Sequence, residues 1–214
     1  MQIRPALAII ASACMSLASG GALAHPHVWV QAKAELIYEP EGRVASVRHH
    51  WTFDEGYSAV AVQGLDANGD GTISSDELAE LAKTNTTSLV DFGYFTSLRA
   101  NGKKQGFAAP RAERMSYENG LLTLSFELPL DQAVSGRTVV LDVYDPTFFV
   151  DFRTAQGDDA VKLAGAPSGC TLRITRPKPA VEQGKQLDEN FFQSLTSTST
   201  YAAQFSSRSM AVCP

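Results

Sequence analysis

Alternation of apolar and polar positions dominates the chain from Val28 onward. Val28, Val30, Ala32, Ala34, Leu36 and Tyr38 occupy every second position and so line one face of a first strand. Pro40-Glu41-Gly42-Arg43 follows as a tight turn, and Val47, His49, Trp51 and Phe53 resume the period in a second strand. With Glu41 and Gly42 as the two loop residues, antiparallel pairing sets Trp51 opposite Ala32 and Phe53 opposite Val30, large against small. Further strands are predicted over 94–100, 103–107, 112–117, 121–127, 138–144, 148–152, 160–164 and 171–176, with turns marked by Asn101-Gly102, Asn119-Gly120 and Asp145-Pro146. Many short strands at regular spacing predict a mainly β fold, an antiparallel β-sandwich.

Between about 54 and 92 the period changes to that of a helix, with Leu78, Leu81 and Ala82 on one face. This stretch is expected as a helical, EF-hand-like insertion, which makes the whole α+β. A short helix followed by a Ser/Thr-rich segment is expected over 188–205.

The first 24 residues break the pattern. Arg4, then an apolar and small-residue stretch, then Ala22-Leu23-Ala24 read as a cleavable secretion signal. The stretch is too short and too diluted by Ala, Gly and Ser to span a membrane. Cys14 follows Ala11-Ser12-Ala13, a poor match to a lipoprotein box. Residues 25–214 are expected as one periplasmic domain with no membrane insertion after processing. Cys170 and Cys213 remain, and an even count in an exported chain reads as a disulfide, worth roughly 4 kcal/mol in the chain-entropy model. The formal net charge is −5 and no basic run occurs, which argues against nucleic acid or an anionic membrane surface as partner.

The strongest chemical signal lies in the insertion. Asp66-Ala67-Asn68-Gly69-Asp70-Gly71-Thr72-Ile73-Ser74-Ser75-Asp76-Glu77 fills a twelve-position calcium loop. Calcium wants six or more oxygens. Asp66, Asn68 and Asp70 supply side-chain oxygens at positions one, three and five, Thr72 a carbonyl at seven, Ser74 a water-mediated contact at nine, and Glu77 a bidentate carboxylate at twelve. Gly71 permits the sharp turn at six, and Ile73 is the apolar residue at eight. The competing interpretation is an Asp/Asn/Gly-rich turn that caps the following helix. With one hand and no partner, the expected role of calcium is structural.

The four histidines, His25, His27, His49 and His50, all lie in the first two strands. Cleavage after Ala24 makes His25 the first residue, and its amine and imidazole together, a histidine brace, suit Cu, Ni or Zn. Pro26 has no amide proton, so the metal must use side chains and the terminal amine. Extending the hairpin register puts His27 beside Asp54, Glu55 and Tyr57, which makes both carboxylates candidate ligands. His49 and His50 face opposite ways, so at most one joins that site. His49, on the Trp51 face, is either a further ligand or a hydrogen-bonded core histidine, the second being favoured, and His50 belongs to the outer face. The alternative for His-Pro-His is a solvated terminus.

His25-Pro26-His27-Val28-Trp29-Val30, Trp51-Thr52-Phe53-Asp54-Glu55 with Tyr57, the loop from Leu65 to Leu78, and Tyr144-Asp145-Pro146-Thr147-Phe148-Phe149-Val150-Asp151-Phe152 together resemble the periplasmic domain of unknown function numbered 1007. The resemblance spans most of the mature chain and includes its C-terminal cysteine. It implies a soluble partner of an inner-membrane permease of the nickel/cobalt type, with zinc, nickel or cobalt as cargo, and no catalytic residues. Within the Asp145-Pro146 segment, Phe148 and Phe149 are expected to pack in the core, with partner docking as the alternative.

The function expected from residues and resemblance together is a non-enzymatic metal-binding accessory protein, with His25 and His27 capturing the ion and calcium stiffening the insertion. One rival is a calcium-stiffened interaction module without transition metal. The other is a copper histidine-brace oxidase, which needs a second in-plane histidine from His49 or His50.

Overall fold

In a computed structural model, residues 27–176 and 206–214 are described. The signal segment, His25 and the stretch 188–205 lie outside them. Among the described residues, two sheets form from eleven strands. The first holds β1 (Val28–Tyr38), β2 (Val44–Phe53), β5 (Arg111–Glu118), β6 (Leu121–Val134), β8 (Val150–Thr154) and β9 (Val161–Ala164). Its order is β5-β6-β2-β1-β8, and β9 also pairs with β1. The second holds β3 (Thr96–Ala100), β4 (Lys103–Lys104), β7 (Thr138–Val143), β10 (Thr171–Thr175) and β11 (Arg208–Val212), in the order β10-β11-β7-β3-β4.

The alternation in β1 is that of its burial: Val28, Val30, Ala32, Ala34, Leu36 and Tyr38 are all buried. Ala32 pairs with Trp51 and Val30 with Phe53. The loop is longer than the two residues expected, because a register shift at Ile37/Tyr38 pairs Tyr38 with Val44. Glu39 N donates to Arg43 O, Gly42 N donates to Glu39 O, and Gly42 takes φ +76°, which a residue with a Cβ adopts only under strain.

The sandwich is not wholly antiparallel. β8 and β9 both run parallel to β1, with Trp29 opposite Asp151 and Ala34 opposite Val161. After β7 the chain leaves the second sheet through 144–149 and lands beside β1 in the first. Such a crossing delivers a strand in either direction, and period-two patterning is the same for both.

Two apolar clusters form the interior. In one, Ala34, Leu36, Val44 and Val47 of the first sheet meet Leu98, Val139, Leu141 and Ala211 of the second, so the sheets pack face to face. In the other, Trp51 lies edge-on to Phe126 and Phe152, and Leu78 and Ala82 close over it. Filling that end with aromatic rings accounts for much of the hydrophobic stabilisation, since rings bury large areas.

The insertion contains two helices, α1 (Glu55–Ala61) and α2 (Ala79–Ser88), then a 3-10 segment (Leu89–Phe95). Among the described residues, no helix is long and apolar enough to cross a membrane. Strand β8 starts at Val150 rather than at 148, because Phe148 has φ +60° and closes the Asp145-Pro146 turn.

Candidate metal centre

Loop 66–77 joins α1 to α2, and its side chains hold its backbone in a tight coil. Asp66 Oδ1 accepts from Asp70 N at 3.1 Å, and its Oδ2 accepts from Gly71 N at 2.9 Å. Asn68 Oδ1 also accepts from Asp70 N, while Asp70 Oδ1 accepts from both the amide and the hydroxyl of Thr72. Gly71 sits at φ +81°, the left-handed conformation that position six requires. Ile73 packs against the Trp51 cluster and anchors the loop to the sandwich.

Glu77 closes the coil. Its Oε1 accepts from Ala67 N and its Oε2 from Ser74 N, both at 2.9 Å. Ser74 Oγ in turn accepts from Glu77 N, the reciprocal box that starts a helix. The capping interpretation of this stretch is therefore visible directly: it caps the helical turn before α2. To ligate an ion with both oxygens, Glu77 must exchange these amide bonds for metal.

Hydrogen bonding favours the ionised form of two loop carboxylates, Asp70 and Glu77. The Thr72 hydroxyl, then the Thr72 amide and the Asn68 side chain, hold the Asp70 carboxyl below its ordinary value. The Ser74 amide and hydroxyl, followed by the Ala67 and Asn68 amides, do the same for Glu77 and outweigh the small effect of burial.

The histidine end is built differently. His27 stands at the start of β1, its ring 4.8 Å from that of Phe149 and its amide donating to Phe149 O at 2.9 Å. Asp54, expected as a ligand, is a cap and clamp instead: Oδ1 accepts from Tyr57 N at 3.0 Å to start α1, and Oδ2 accepts from Trp29 N at 2.9 Å. A carboxylate with both oxygens on backbone amides positions its neighbours. Glu55 lies exposed in the first turn of α1.

His49 corrects the candidate ligand set most sharply. It is fully buried between Trp51 and Phe126. Thr96 Oγ1 donates to Tyr94 O, so it accepts from His49 Nε2 at 3.2 Å. Burial, with a smaller push from His50, lowers the His49 imidazole from 6.5 to about 3, so it is a neutral core residue with no path to an ion. His50 faces outward and its Nδ1 bonds Ser125 Oγ at 2.8 Å. Burial lowers its imidazole too, with Glu35 acting against this and Arg114, Arg48 and Lys162 adding to it. Among the described residues, no three His, Cys, Asp or Glu side chains are grouped to hold a metal.

Cys170 and Cys213 form a disulfide at the end of the β10/β11 pair, one residue beyond the Thr171–Val212 partners.

Two contacts escaped the sequence reasoning. Ser58 Oγ accepts from Leu122 N at 3.0 Å and fixes the middle of α1 to β6, and the Tyr57 hydroxyl reaches Asn85 Oδ1 on α2 at 3.4 Å. Asp54 followed by Glu55 carries the signature of a helix start, which was the available signal for the cap.

A family model described as protein of unknown function (DUF1007) matches residues 10–213. No curated protein and no solved structure matches the chain.

Proposed function

The chain belongs to the DUF1007 family of proteins of unknown function, and from that footing we propose that it is a periplasmic, non-enzymatic metal-binding accessory protein of a divalent transition-metal transport system, with a structural calcium site in an EF-hand-like insertion. The observation that carries the calcium half is the loop in which Asp66, Asn68, Asp70, Ser74 and Glu77 share one tight coil around a left-handed Gly71. Hard oxygen donors on a short coil suit calcium over softer ions. The millimolar range of extracellular calcium modules is sufficient for a single hand.

The transition-metal half rests on His27 at the exposed start of β1, two positions after His25. With Asp54 occupied by amides and His49 in the core, the donors left to this site are the two terminal imidazoles, the amine of a chain trimmed after Ala24, and Glu55. Zinc, nickel, cobalt and copper accept such nitrogen-rich sets. An inner-membrane permease is the proposed recipient.

Titration of correctly processed protein with zinc, nickel, cobalt and copper tests this. Binding that weakens at least about tenfold on replacing His25 and His27 by Ala is expected, and indistinguishable binding by the two proteins defeats the transition-metal half. The same engagement of Asp54 and His49 favours a second reading, a calcium-stiffened interaction module without transition metal.

A further inference from the structure

We infer that calcium occupancy of loop 66–77 controls the placement of the β1 start, His27 to Trp29, through Asp54. This rests on the calcium reading given above. The path consists of consecutive contacts, beginning at the loop. Asp66 lies five residues beyond Ala61, the last residue of the seven-residue, about 10 Å long α1, and the turn between them is closed by Gln63 N donating to Val60 O and Leu65 N donating to Val62 O. The helix is pinned near its middle, where Ser58 accepts from Leu122 N and donates to Phe53 O at 3.4 Å. Its N-terminal end is Asp54, whose carboxylate holds Tyr57 N and Trp29 N together.

A short rigid helix fixed near its centre turns as a lever. An ion that draws Asp66 and Glu77 together sets the C-terminal end of α1 against the start of α2. Two further links keep the motion from being absorbed locally. Tyr57 stacks on Phe53 with centroids 4.6 Å apart and bonds Asn85 of α2, so the two helices move as a pair. Asp54 N donates to Trp29 O while Trp29 N donates back to Asp54 Oδ2, so a shift of the helix start carries the strand with it. On its other side the strand start is tied to Phe149 O by the amides of His27 and Val28. His27 therefore sits where a helix on one side and a turn on the other set the backbone.

The experiment is an amide NMR titration of the mature full chain with calcium chloride, with magnesium chloride as control and calorimetry in parallel. The expected result is that the Gly71, Trp29 and His27 amides shift with one midpoint. In Asp54→Ala, Gly71 keeps its shift and calcium affinity stays within about threefold, while the Trp29 shift falls below about a quarter of the original. Asp54→Asn preserves the side-chain shape and one acceptor, and serves if the alanine variant does not fold. A Gly71 shift with Trp29 unmoved in the unaltered protein overturns the coupling and leaves the calcium reading intact. A Trp29 shift that persists in both Asp54 variants overturns the route through Asp54. No heat and no shift at Gly71 removes the calcium reading itself.

Discussion

Asp54 and Trp29 exchange two hydrogen bonds at the end of the β1/β2 pair: Trp29 N donates to Asp54 Oδ2, and Asp54 N donates to Trp29 O, each at 2.9 Å. The remaining carboxylate oxygen caps α1. Replacing Asp54 by Ala removes the cap, worth about 1 kcal/mol, and leaves the Trp29 amide without its side-chain acceptor, worth about 1 kcal/mol more. Urea unfolding is expected to show about 2 kcal/mol of lost stability with an unchanged m-value. A loss below about 0.5 kcal/mol means that solvent replaces both bonds.

His49 makes the fold acid-sensitive in a definable window. Its folded imidazole is held down to about 3, against an ordinary 6.5, so the unfolded chain takes up a proton that the folded chain refuses. Stability is therefore fully present above about pH 6.5 and falls as pH drops from there toward 3, by at most about 1.4 kcal/mol per pH unit from this one group. His49→Leu keeps an apolar side chain in the cluster and deletes the titration. Unfolding midpoints measured from pH 7 to pH 5 are expected to fall more steeply for the parent than for the variant, which keeps the contribution of His50; parallel curves assign the acid loss elsewhere.

Much of this architecture could be read from residue order, for reasons that differ from element to element. The pairing of Trp51 with Ala32 followed from size complementarity and from alternation, and the turn could change by three residues without disturbing it because the bulge at Ile37/Tyr38 absorbs the difference. The direction of β8 was illegible, since its residues alternate equally well beside β1 in either sense. β11 escaped because its buried positions are Ser209 and Ala211 and its largest apolar residue, Met210, is only half-buried. In the site, the oxygen-bearing residues of the loop were visible as a motif, because each demanding position falls at a fixed spacing. Asp54 was not, because a carboxylate beside a histidine in register looks the same whether its oxygens face a metal or two amides. That choice is made by where α1 begins.

The outer face of the first sheet offers a third test. Arg111, Glu127, Arg48, Glu35 and Lys162 occupy consecutive partner positions across β5, β6, β2, β1 and β9, an alternating row of charge. Glu127 is its centre, accepting from Arg111, from Arg48 at 3.1 Å and from Ser46 at 3.0 Å. Burial raises its carboxyl, but the bonds from Arg111, Arg48 and Ser46 outweigh this and leave it below the ordinary value. Glu127→Ala strands the buried Ser46 hydroxyl and removes the acceptor of two guanidinium groups, for an expected loss of about 1–3 kcal/mol. Glu35→Ala removes a partner of Arg48 alone and is expected to cost under about 1 kcal/mol. Equal losses in thermal or urea unfolding contradict the assignment of Glu127 as the centre.

Reduction of the Cys170–Cys213 disulfide frees a loop with a sequence separation of 43. The chain-entropy model puts the stabilisation near 4 kcal/mol, as an upper figure. The bond closes the far end of the β10/β11 pair, and β11 in turn pairs with β7. Dithiothreitol is therefore expected to lower the urea midpoint and to release amide protection first in 171–175 and 208–212. Protection that instead falls first in β1 and β2 contradicts this order of loosening.

The two proposed metal sites differ in how they meet protons, and one sample can show it. Hydrogen bonds, first those of Thr72 and of Ser74 respectively, hold the Asp70 and Glu77 carboxyls below their ordinary values and favour their charged forms. Calcium affinity measured calorimetrically is expected to change by less than about twofold between pH 7 and pH 5, since no proton must leave for the ion to bind. Imidazole and amine nitrogens are different, because each must be unprotonated before it can ligate. Zinc or nickel affinity at the histidine end is expected to fall by at least about a hundredfold over the same two pH units, with proton release visible as a buffer-dependent heat. A transition-metal affinity that ignores pH removes nitrogen ligands from the site. A calcium affinity that falls in step with it means that the loop binds through groups other than the carboxylates of Asp70 and Glu77.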